Sequence, residues 1–147
     1  MPDNRDDLLY REEKMRDSFI LRFEDGMPKG TAQQKRYNGY TRTYFPNKNL
    51  AITQRLFFTA LRGHRPPKPS EGPVRLFLVF YFDKKQPKKL WGQYKTTRPD
   101  VENYAKEFID QMTKTGFWLD DSQIVDLRLK KYYAEKASIY VEWEELE

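Results

Sequence analysis

The sequence predicts one α/β (α+β) domain, a single unit in which helices flank a mixed β-sheet. Its 147 residues match the size of a single domain, and 38% of them are hydrophobic, which is enough for one buried core. Segments with strand-like alternation and segments with helical periodicity follow one another in the order strand, loop, helix, strand, helix, strand, strand. This order, without internal repeats, is typical of a sheet that packs against helices.

The first part of the chain is expected to hold a strand and a long loop. Residues 1–16 are polar and charged, and we expect a tail or short helix there, outside a domain that spans 17–147. The first strand is predicted from the alternating apolar positions Phe19, Leu21 and Phe23. Residues 26–46 are rich in Gly, Pro, Asn and Thr, which predicts a long loop.

A helix and a buried strand are expected next. Asn49 is a candidate N-cap for a helix that runs to about Arg62 and ends before the Pro-rich stretch at 66–73. The apolar stripe of this helix consists of Leu56, Phe57, Ala60 and Leu61. Residues 74–82 are apolar at both alternating sets of positions, which predicts a central strand covered on both sides.

The clearest helix follows a lysine-rich connection at 84–95. Its apolar side chains recur at three- and four-residue steps: Val101, Tyr104, Ala105, Phe108, Ile109 and Met112. Pro99 and Asp100 mark its start, and Gly116 marks its end. Two alternating runs, 125–130 and 139–144, then predict a β-hairpin because the link between them is short.

The composition excludes several classes of site. The absence of Cys excludes disulfides, thiolate zinc sites and a Cys nucleophile. His64 is the single histidine, so the chain cannot build an HNH-type or two-His metal site. No apolar run is long enough to cross a bilayer, and the polar N-terminus lacks the apolar core of a signal peptide. We therefore expect a cytoplasmic protein that does not bind membranes.

Positive charge is concentrated in one part of the chain and favours a nucleic-acid partner. The net charge is +5, and residues 26–70 contain nine Lys and Arg but no Asp or Glu. Candidate DNA-binding residues in the loop are Lys29, Lys35, Arg36, Tyr37, Tyr40, Arg42 and Lys48. Basic side chains bind phosphate, and aromatic rings stack on unpaired bases. The alternatives are a flexible solvated loop and an RNA-binding module.

Acidic residues stand at both ends of the main helix. Asp100 and Glu102 lie at its start, and Asp120 and Asp121 follow its end. A helix of this length spans roughly 22 Å, so the two pairs cannot meet along it. They can meet only if the chain turns at Gly116 and runs back, or if a following strand brings residues near Asp121 to the start of the helix. If they do not meet, the acids are an ordinary helix cap, a helix-end charge and a solvated turn.

These residues resemble the motifs of the RusA family of Holliday junction resolvases. That family carries a Pro/Arg-Asp-Leu-Asp-Asn motif that opens a helix, a Lys four residues past the second Asp, and then a Gly-Phe/Val-Trp-x-Asp-Asp-x-Gln-Ile/Val motif. The first motif is matched by Arg98-Pro99-Asp100-Val101-Glu102-Asn103, and the lysine by Lys106. The second motif is matched by Gly116-Phe117-Trp118-Leu119-Asp120-Asp121-Ser122-Gln123-Ile124.

The resemblance implies an endodeoxyribonuclease that cuts four-way DNA junctions as a homodimer, in DNA recombination and repair. Its catalytic residues fall on Asp100, Glu102, Lys106 and Asp121, and the three carboxylates among them are the implied metal ligands. Asp120 and Asn103 are supporting candidates. The implied cofactor is Mg²⁺, with Mn²⁺ as a substitute, because carboxylate oxygens suit a hard cation.

One position departs from the family motif. Glu102 stands where the family has Asp, which moves the carboxylate one methylene further from the backbone. Mg²⁺ demands near-octahedral geometry, so the change bears on the strength of the site. The alternatives are therefore a catalytically weak or inactive DNA-binding protein of the same fold, and a nuclease that prefers forks or flaps.

Overall fold

The structure, a computed structural model, describes residues 14–30, 36–38, 43–45 and 48–147, with backbone alone at 36–38 and 43–45. Across these residues the strands are β1 Arg16–Phe23, β2 Arg36–Asn38, β3 Thr43–Phe45, β4 Val74–Asp83, β5 Ile124–Ala134 and β6 Ala137–Glu145. The α-helices are α1 Lys48–Leu61 and α2 Val101–Thr115. Short 3₁₀ turns lie at Arg62–His64, Lys88–Leu90 and Asp121–Gln123.

Four of these strands form a mixed sheet within the described residues, in the order β1-β6-β4-β5. β6 is antiparallel to both β1 and β4, whereas β5 is parallel to β4. The parallel pair is connected through α2, as a crossover helix requires. The predicted single α+β domain with a mixed sheet is confirmed.

The helices pack on one face of the sheet, and the core lies between the helices and that face. Leu76, Leu78 and Phe80 of β4 are fully buried there, and Phe80 contacts Tyr104 and Phe108 of α2 edge to face at 5.2 and 6.1 Å. Phe57 of α1 contacts the same two α2 rings. Edge-to-face aromatic pairs of this kind add stabilisation beyond their buried area.

The apolar character of β4 explains its central place between β6 and β5. One set of its side chains enters the helix-covered core, while Phe77, Val79 and Tyr81 belong to the opposite face. Within the described residues no helix covers that outer face, so the prediction of a strand covered on both sides holds for the inner face alone. Val79 is nevertheless 5% exposed, because the larger side chains around it shield it.

The predicted hairpin of the last two strands is wrong. β5 and β6 both pair with β4, which lies between them. The link from Ala134 to Ala137 crosses over the end of β4, and three Cα steps reach about 11 Å, enough for two strand spacings of about 4.8 Å. The more apolar β4 takes the centre, because β5 alternates with charged residues that suit an edge.

The first half of the chain differs from the predictions at four points. Asn49, the predicted N-cap, lies inside α1, which begins at Lys48. β1 begins at Arg16, one residue inside the expected tail, and residues 1–13 lie outside the described part. Short strands β2 and β3 pair within the expected loop. In α1, Phe57 and Leu61 are buried but Leu56 is 44% exposed, since Thr53 continues the buried face one turn earlier.

The main helix is placed as predicted. Asp100 occupies its N-cap position, and its apolar stripe is buried against the sheet. Gly116 ends it in the left-handed conformation, with φ 101°, where a side chain would be strained. Over the described residues, none of the helices has both the length and the apolar character needed to cross a membrane.

Candidate active site

A cavity of about 270 Å³ lies between α2 and β5, and it collects charged residues from both ends of the helix. Glu102, Lys106 and Asp121 line it, together with the apolar residues Ala105, Ile109, Ile124, Leu127 and Leu129. The chain turns at Gly116 and runs back, and one member of each acidic pair, Glu102 and Asp121, lines the cavity. Three of the four predicted catalytic residues share this cavity.

The segment after α2 is held in place by backbone and side-chain hydrogen bonds. The Gly116 N–H donates to the carbonyls of Met112 and Thr113, which closes the helix end. Phe117 and Trp118 are then buried, and the Phe117 carbonyl accepts from the Ser70 N–H at 2.9 Å. These contacts tie the start of the returning chain to the core, next to the acidic pair.

A capping box fixes the orientation of the Asp120–Asp121 pair. The Asp120 carboxylate accepts from the Ser122 N–H at 2.8 Å, and the Gln123 side chain accepts from the Asp120 N–H at 2.9 Å. The Gln123 amide in turn donates to the carbonyls of Ser70 and Gly72. Asp120 thus caps the short turn that carries Asp121, and its supporting role at the site stays a prediction.

Negative charge converges on Asp121. Partial burial raises the pKa of Asp121, and the hydrogen bond and charge of Asp120 and the charge of Asp110 raise it further. The pKa of Asp120 is lowered instead, chiefly by its hydrogen bond from the Ser122 backbone. A site where carboxylates crowd in this way favours a bound cation, because the cation offsets their repulsion.

Asp110 is a neighbour of the site that sequence reasoning missed. Burial raises the pKa of Asp110, Glu107 raises it further, and Lys106 and Lys114 oppose the shift. Asp110 follows Lys106 by four residues and Glu102 by eight, so all three lie along one side of α2. This spacing places Asp110 on the same side of the helix as Glu102 and Lys106, but its closeness to Asp121 exists only in the folded chain.

Asp100 occupies a different position from the other predicted catalytic residues. It is the N-cap of α2 with extended backbone, and its side chain makes no capping hydrogen bond to the helix. Its Oδ2 accepts from the Asn103 side-chain amide at 3.2 Å, and it is not among the residues that line the cavity. Asn103 therefore orients the Asp100 carboxylate at the helix start.

The loop before Asp100 is clamped by basic and hydroxyl side chains. The Lys131 amine donates to the carbonyls of Thr97 and Pro99, both at 2.7 Å. The Thr97 hydroxyl is within 2.7 Å of the Lys95 amine and 3.0 Å of the Tyr133 hydroxyl. These bonds link the start of α2 to β5, and so link Asp100 and Glu102 to the strand beside the cavity.

Comparison with known proteins places this arrangement in a family. The sequence profile of the family described as Endodeoxyribonuclease RusA matches residues 25–144, which include every part of the cavity. The chain belongs to this RusA family. The resemblance seen in the two motifs is therefore confirmed over most of the chain.

Individual proteins match parts of the sequence. A crossover junction endodeoxyribonuclease rusA of Lactococcus phage r1t is 47% identical over 70 residues, which cover 48% of this chain and 53% of that protein. YqaN of Bacillus subtilis strain 168 is 32% identical over 126 residues, covering 79% and 84% of the two chains. The Escherichia coli K12 crossover junction endodeoxyribonuclease RusA is 53% identical over 34 residues, 23% of this chain and 28% of that one. The chain thus spans about half the length of the phage r1t relative.

The donor chemistry of this RusA member fits a hard divalent cation. Carboxylate oxygens are the ligands that Mg²⁺ prefers, and the crowding around Asp121 is relieved by positive charge. As the described residues are placed, however, no three His, Cys, Asp or Glu side chains lie together in a group that could hold a metal ion. Glu102 and Asp121 face the cavity from opposite ends of α2, and Asp100 lies outside its lining. Their joint role as metal ligands stays a prediction.

The predicted DNA-binding residues are described in part. Lys29 and Lys48 are exposed, while Arg36 and Tyr37 lie in β2. Lys35, Tyr40 and Arg42 lie outside the described residues. The base of the loop is anchored beside the site, because the Tyr104 hydroxyl of α2 donates to the Pro28 carbonyl at 2.6 Å. Gly30 also packs so closely on α1 that a Cβ there would lie 2.7 Å from the Asn49 backbone.

Proposed function

We propose that this protein is a Mg²⁺-dependent, structure-specific endodeoxyribonuclease that resolves four-way DNA junctions by paired symmetric nicks, in recombination and repair. The observation that carries the proposal is the cavity in which Glu102, Lys106 and Asp121 come together in a RusA-family chain. The names of the phage and E. coli relatives, which describe crossover junction endodeoxyribonucleases, support the same substrate class.

The side chains divide the work between holding a cation and managing phosphate charge. Asp100, Glu102 and Asp121 would hold the Mg²⁺, which when bound supplies an activated water and neutralises charge on the phosphate. Lys106 faces the same cavity and stabilises negative charge that develops on the phosphate oxygens. Asn103 holds the Asp100 carboxylate in orientation, and Asp120 caps the short turn that carries Asp121. The apolar wall of β5 limits water on one side of the cavity.

The test is cleavage of a synthetic mobile four-way junction by the purified protein, with Mg²⁺ and with EDTA. We expect paired nicks in opposing strands with Mg²⁺ and none with EDTA. A fork, a flap and a linear duplex of the same sequence serve as matched substrates. If the fork or flap is cut faster than the junction, it is the preferred substrate instead. If the protein binds DNA but cuts none of these substrates, it is an inactive DNA-binding member of the family.

Glu102 should tolerate a shorter carboxylate but not an amide. Glu102→Asp restores the family residue and is expected to keep or raise the cleavage rate, because the charge and the oxygen donors remain. Glu102→Gln removes the charge and should lower the rate at least about a hundredfold, more than the loss usual for residues that only orient a ligand. Single-turnover rates on the junction check this, and a fully active Gln variant would reduce Glu102 to a helix-end charge.

Lys131 should act on the rate by positioning the start of α2. Lys131→Met removes both hydrogen bonds to the loop before Asp100, and an active-site shift of about 1 Å can cost roughly a hundredfold in rate. We expect a lower kcat with junction affinity nearly unchanged, and partial recovery in Lys131→Arg, which keeps the donors. A Met variant as active as the wild type would show that the loop holds its position without the Lys131 hydrogen bonds.

A homodimer is the expected working unit, because two symmetric nicks require two active sites related by a two-fold axis. The sequence offers the last strand, with Tyr140 and Trp143, and the helix around Leu56 as interface candidates. Trp143 is buried in the core, while Leu56 is 44% exposed beside Ile52, which is 56% exposed. Tyr140 lies on the uncovered face of the sheet. Light scattering at micromolar concentration should give about twice the chain mass of 17.8 kDa. If α1 forms the interface, Leu56→Lys should lower the measured mass towards that of one chain. A monomer that makes paired nicks in one binding event would contradict the dimer.

A further inference from the structure

Two further basic stretches lie outside the 26–70 segment of the sequence. Residues 84–99 contain six Lys and Arg and no acid, and residues 127–134 add three more without an acid. Neither stretch contributes to the function proposed above, apart from the clamp made by Lys131 and Lys95. The proposed catalytic function therefore does not account for the positive charge of these two stretches.

The fold brings the two stretches together at one edge of the sheet. Residues 92–95 run along β5: the Gly92 N–H donates to the Tyr133 carbonyl at 2.8 Å, and the Lys95 N–H donates to the Lys131 carbonyl at 3.0 Å. Positive charges converge as a result. Partial burial lowers the pKa of Lys95, and Lys131 and Lys84 lower it further although Tyr133 opposes them.

Three tyrosine rings are stacked on the outer face at the same edge. Tyr94 lies over Tyr132 with ring centroids 4.8 Å apart and planes 20° apart, and Tyr132 lies over Tyr81 at 5.7 Å and 17°. Tyr94 is the outermost ring and is 62% exposed. Arg128 and Lys130 share this face of β5 with Tyr132, since the register pairs them with Phe77 and Val79 of the outer face.

We propose that this edge surface, formed by residues 84–95 and the outer side of 128–132, binds a DNA arm of the substrate and stacks an unpaired base on Tyr94. Basic side chains that line exposed aromatic rings match the chemistry of a nucleic-acid strand, whose phosphates and bases they contact together. A second copy of the chain fits poorly here, because a two-fold contact would oppose like charges. The proposal rests on the proposed nuclease function and adds a surface distinct from the 26–48 loop.

The position of the surface suits an arm that leaves the active site. Ile124 lines the catalytic cavity, and Tyr132 follows it by eight residues along the same strand. Eight residues of strand span about 26 Å. That distance is close to eight base-pair steps of about 3.4 Å. Because the cavity lies on the helix-covered face and the tyrosine stack lies on the outer face, an arm cut at the cavity would pass around this edge of the sheet to reach Tyr94.

Salt dependence of binding tests the electrostatic part. In Lys88→Gln/Lys89→Gln the log–log slope of junction affinity against salt should flatten by up to about 1.8, because each phosphate contact contributes about 0.9. The control Arg16→Gln/Arg22→Gln removes the same charge from exposed residues of β1, at the opposite edge of the sheet, and should leave the slope nearly unchanged. Equal slopes in both double variants would overturn the proposal.

Stacking on Tyr94 is tested with a junction and a single strand that carry the fluorescent base 2-aminopurine. Tyr94→Ala should weaken binding of the single strand about tenfold and remove the fluorescence quenching, whereas Tyr94→Phe should keep both because the ring remains. An Ala variant that binds and quenches like the wild type overturns the stacking role. The wild-type protein could also cut no junction, yet bind either DNA in a way that depends on Lys88, Lys89 and Tyr94. That result would refute the nuclease assignment and support this surface. Binding to neither DNA would overturn both.

Discussion

Asp121→Asn is expected to abolish junction cleavage while junction binding survives or tightens. Asp121 lines the cavity at the point where the charges of Asp120 and Asp110 converge. The substitution keeps the size of the side chain but removes one negative charge and one cation ligand. Loss of groups that merely orient metal ligands costs about 10–100-fold, so loss of a ligand should cost more than about a hundredfold. Binding is retained because less negative charge then faces the phosphate.

The matched control for Asp121→Asn is Asp126→Asn. Asp126 lies on the outer face of β5, where its carboxylate accepts from the Arg75 guanidinium at 3.0 Å, so the change alters charge equally but outside the cavity. This surface ion pair is worth at most about 1 kcal/mol. We expect normal cleavage from the control, measured under single turnover beside a filter-binding assay. Wild-type rates in Asp121→Asn would refute the metal assignment.

Lys106→Met should lower the cleavage rate about 10²- to 10³-fold with little change in folding or binding. Lys106 lines the cavity and lies near enough to Asp110 to oppose the rise in the pKa of that carboxyl. Loss of a charged group that stabilises a developing oxyanion has an effect of this size. Methionine keeps most of the length and apolar stem of the side chain, so packing against the helix is largely preserved.

Lys114→Met is the control for the lysine. Lys114 also opposes the pKa rise of Asp110 from the same helix, but it does not line the cavity. Its removal should therefore leave the rate within a few fold of wild type. Thermal melting of both variants distinguishes a chemical from a structural role: a fall in Tm without a fall in rate for Lys106→Met would indicate a structural ion pair.

The parts of the fold that sequence predicts best are those in which independent local signals agree. For α2 the apolar period, the N-cap position of Asp100 and the glycine at 116 all indicate the same limits, and the helix lies at Val101–Thr115. After Gly116 reverses the chain, Asp121 lines the same cavity as Glu102 and Lys106, whereas Asp100 does not. Local chemistry at the helix ends therefore positioned most of the cavity.

The predictions that were wrong concern which segments become neighbours in the fold. Alternation in β5 and β6 correctly indicates strands, but it does not specify that β4 separates them. That choice depends on competition for burial among all strands, and the apolar β4 takes the centre. Leu56 shows the same limit at one position, because Thr53 rather than Leu56 faces α2 and the core. Asp110 was missed since its closeness to Asp121 exists only after the crossover forms.

The central position of β6 has a consequence for how the protein is made. β6 is the last strand in chain order, yet it lies between β1 and β4, and its register joins Arg16 to Glu144. Until the ribosome has released this strand, the edges of β1 and β4 that it will occupy are open, and the core lacks Ile139, Val141 and Trp143. Closure over so long a loop is entropically costly and slow, and open strand edges can pair with other nascent chains. Residues 100–121 are thus synthesised before the strand that completes the core behind them, so we expect the folded domain to form only after β6 has been made.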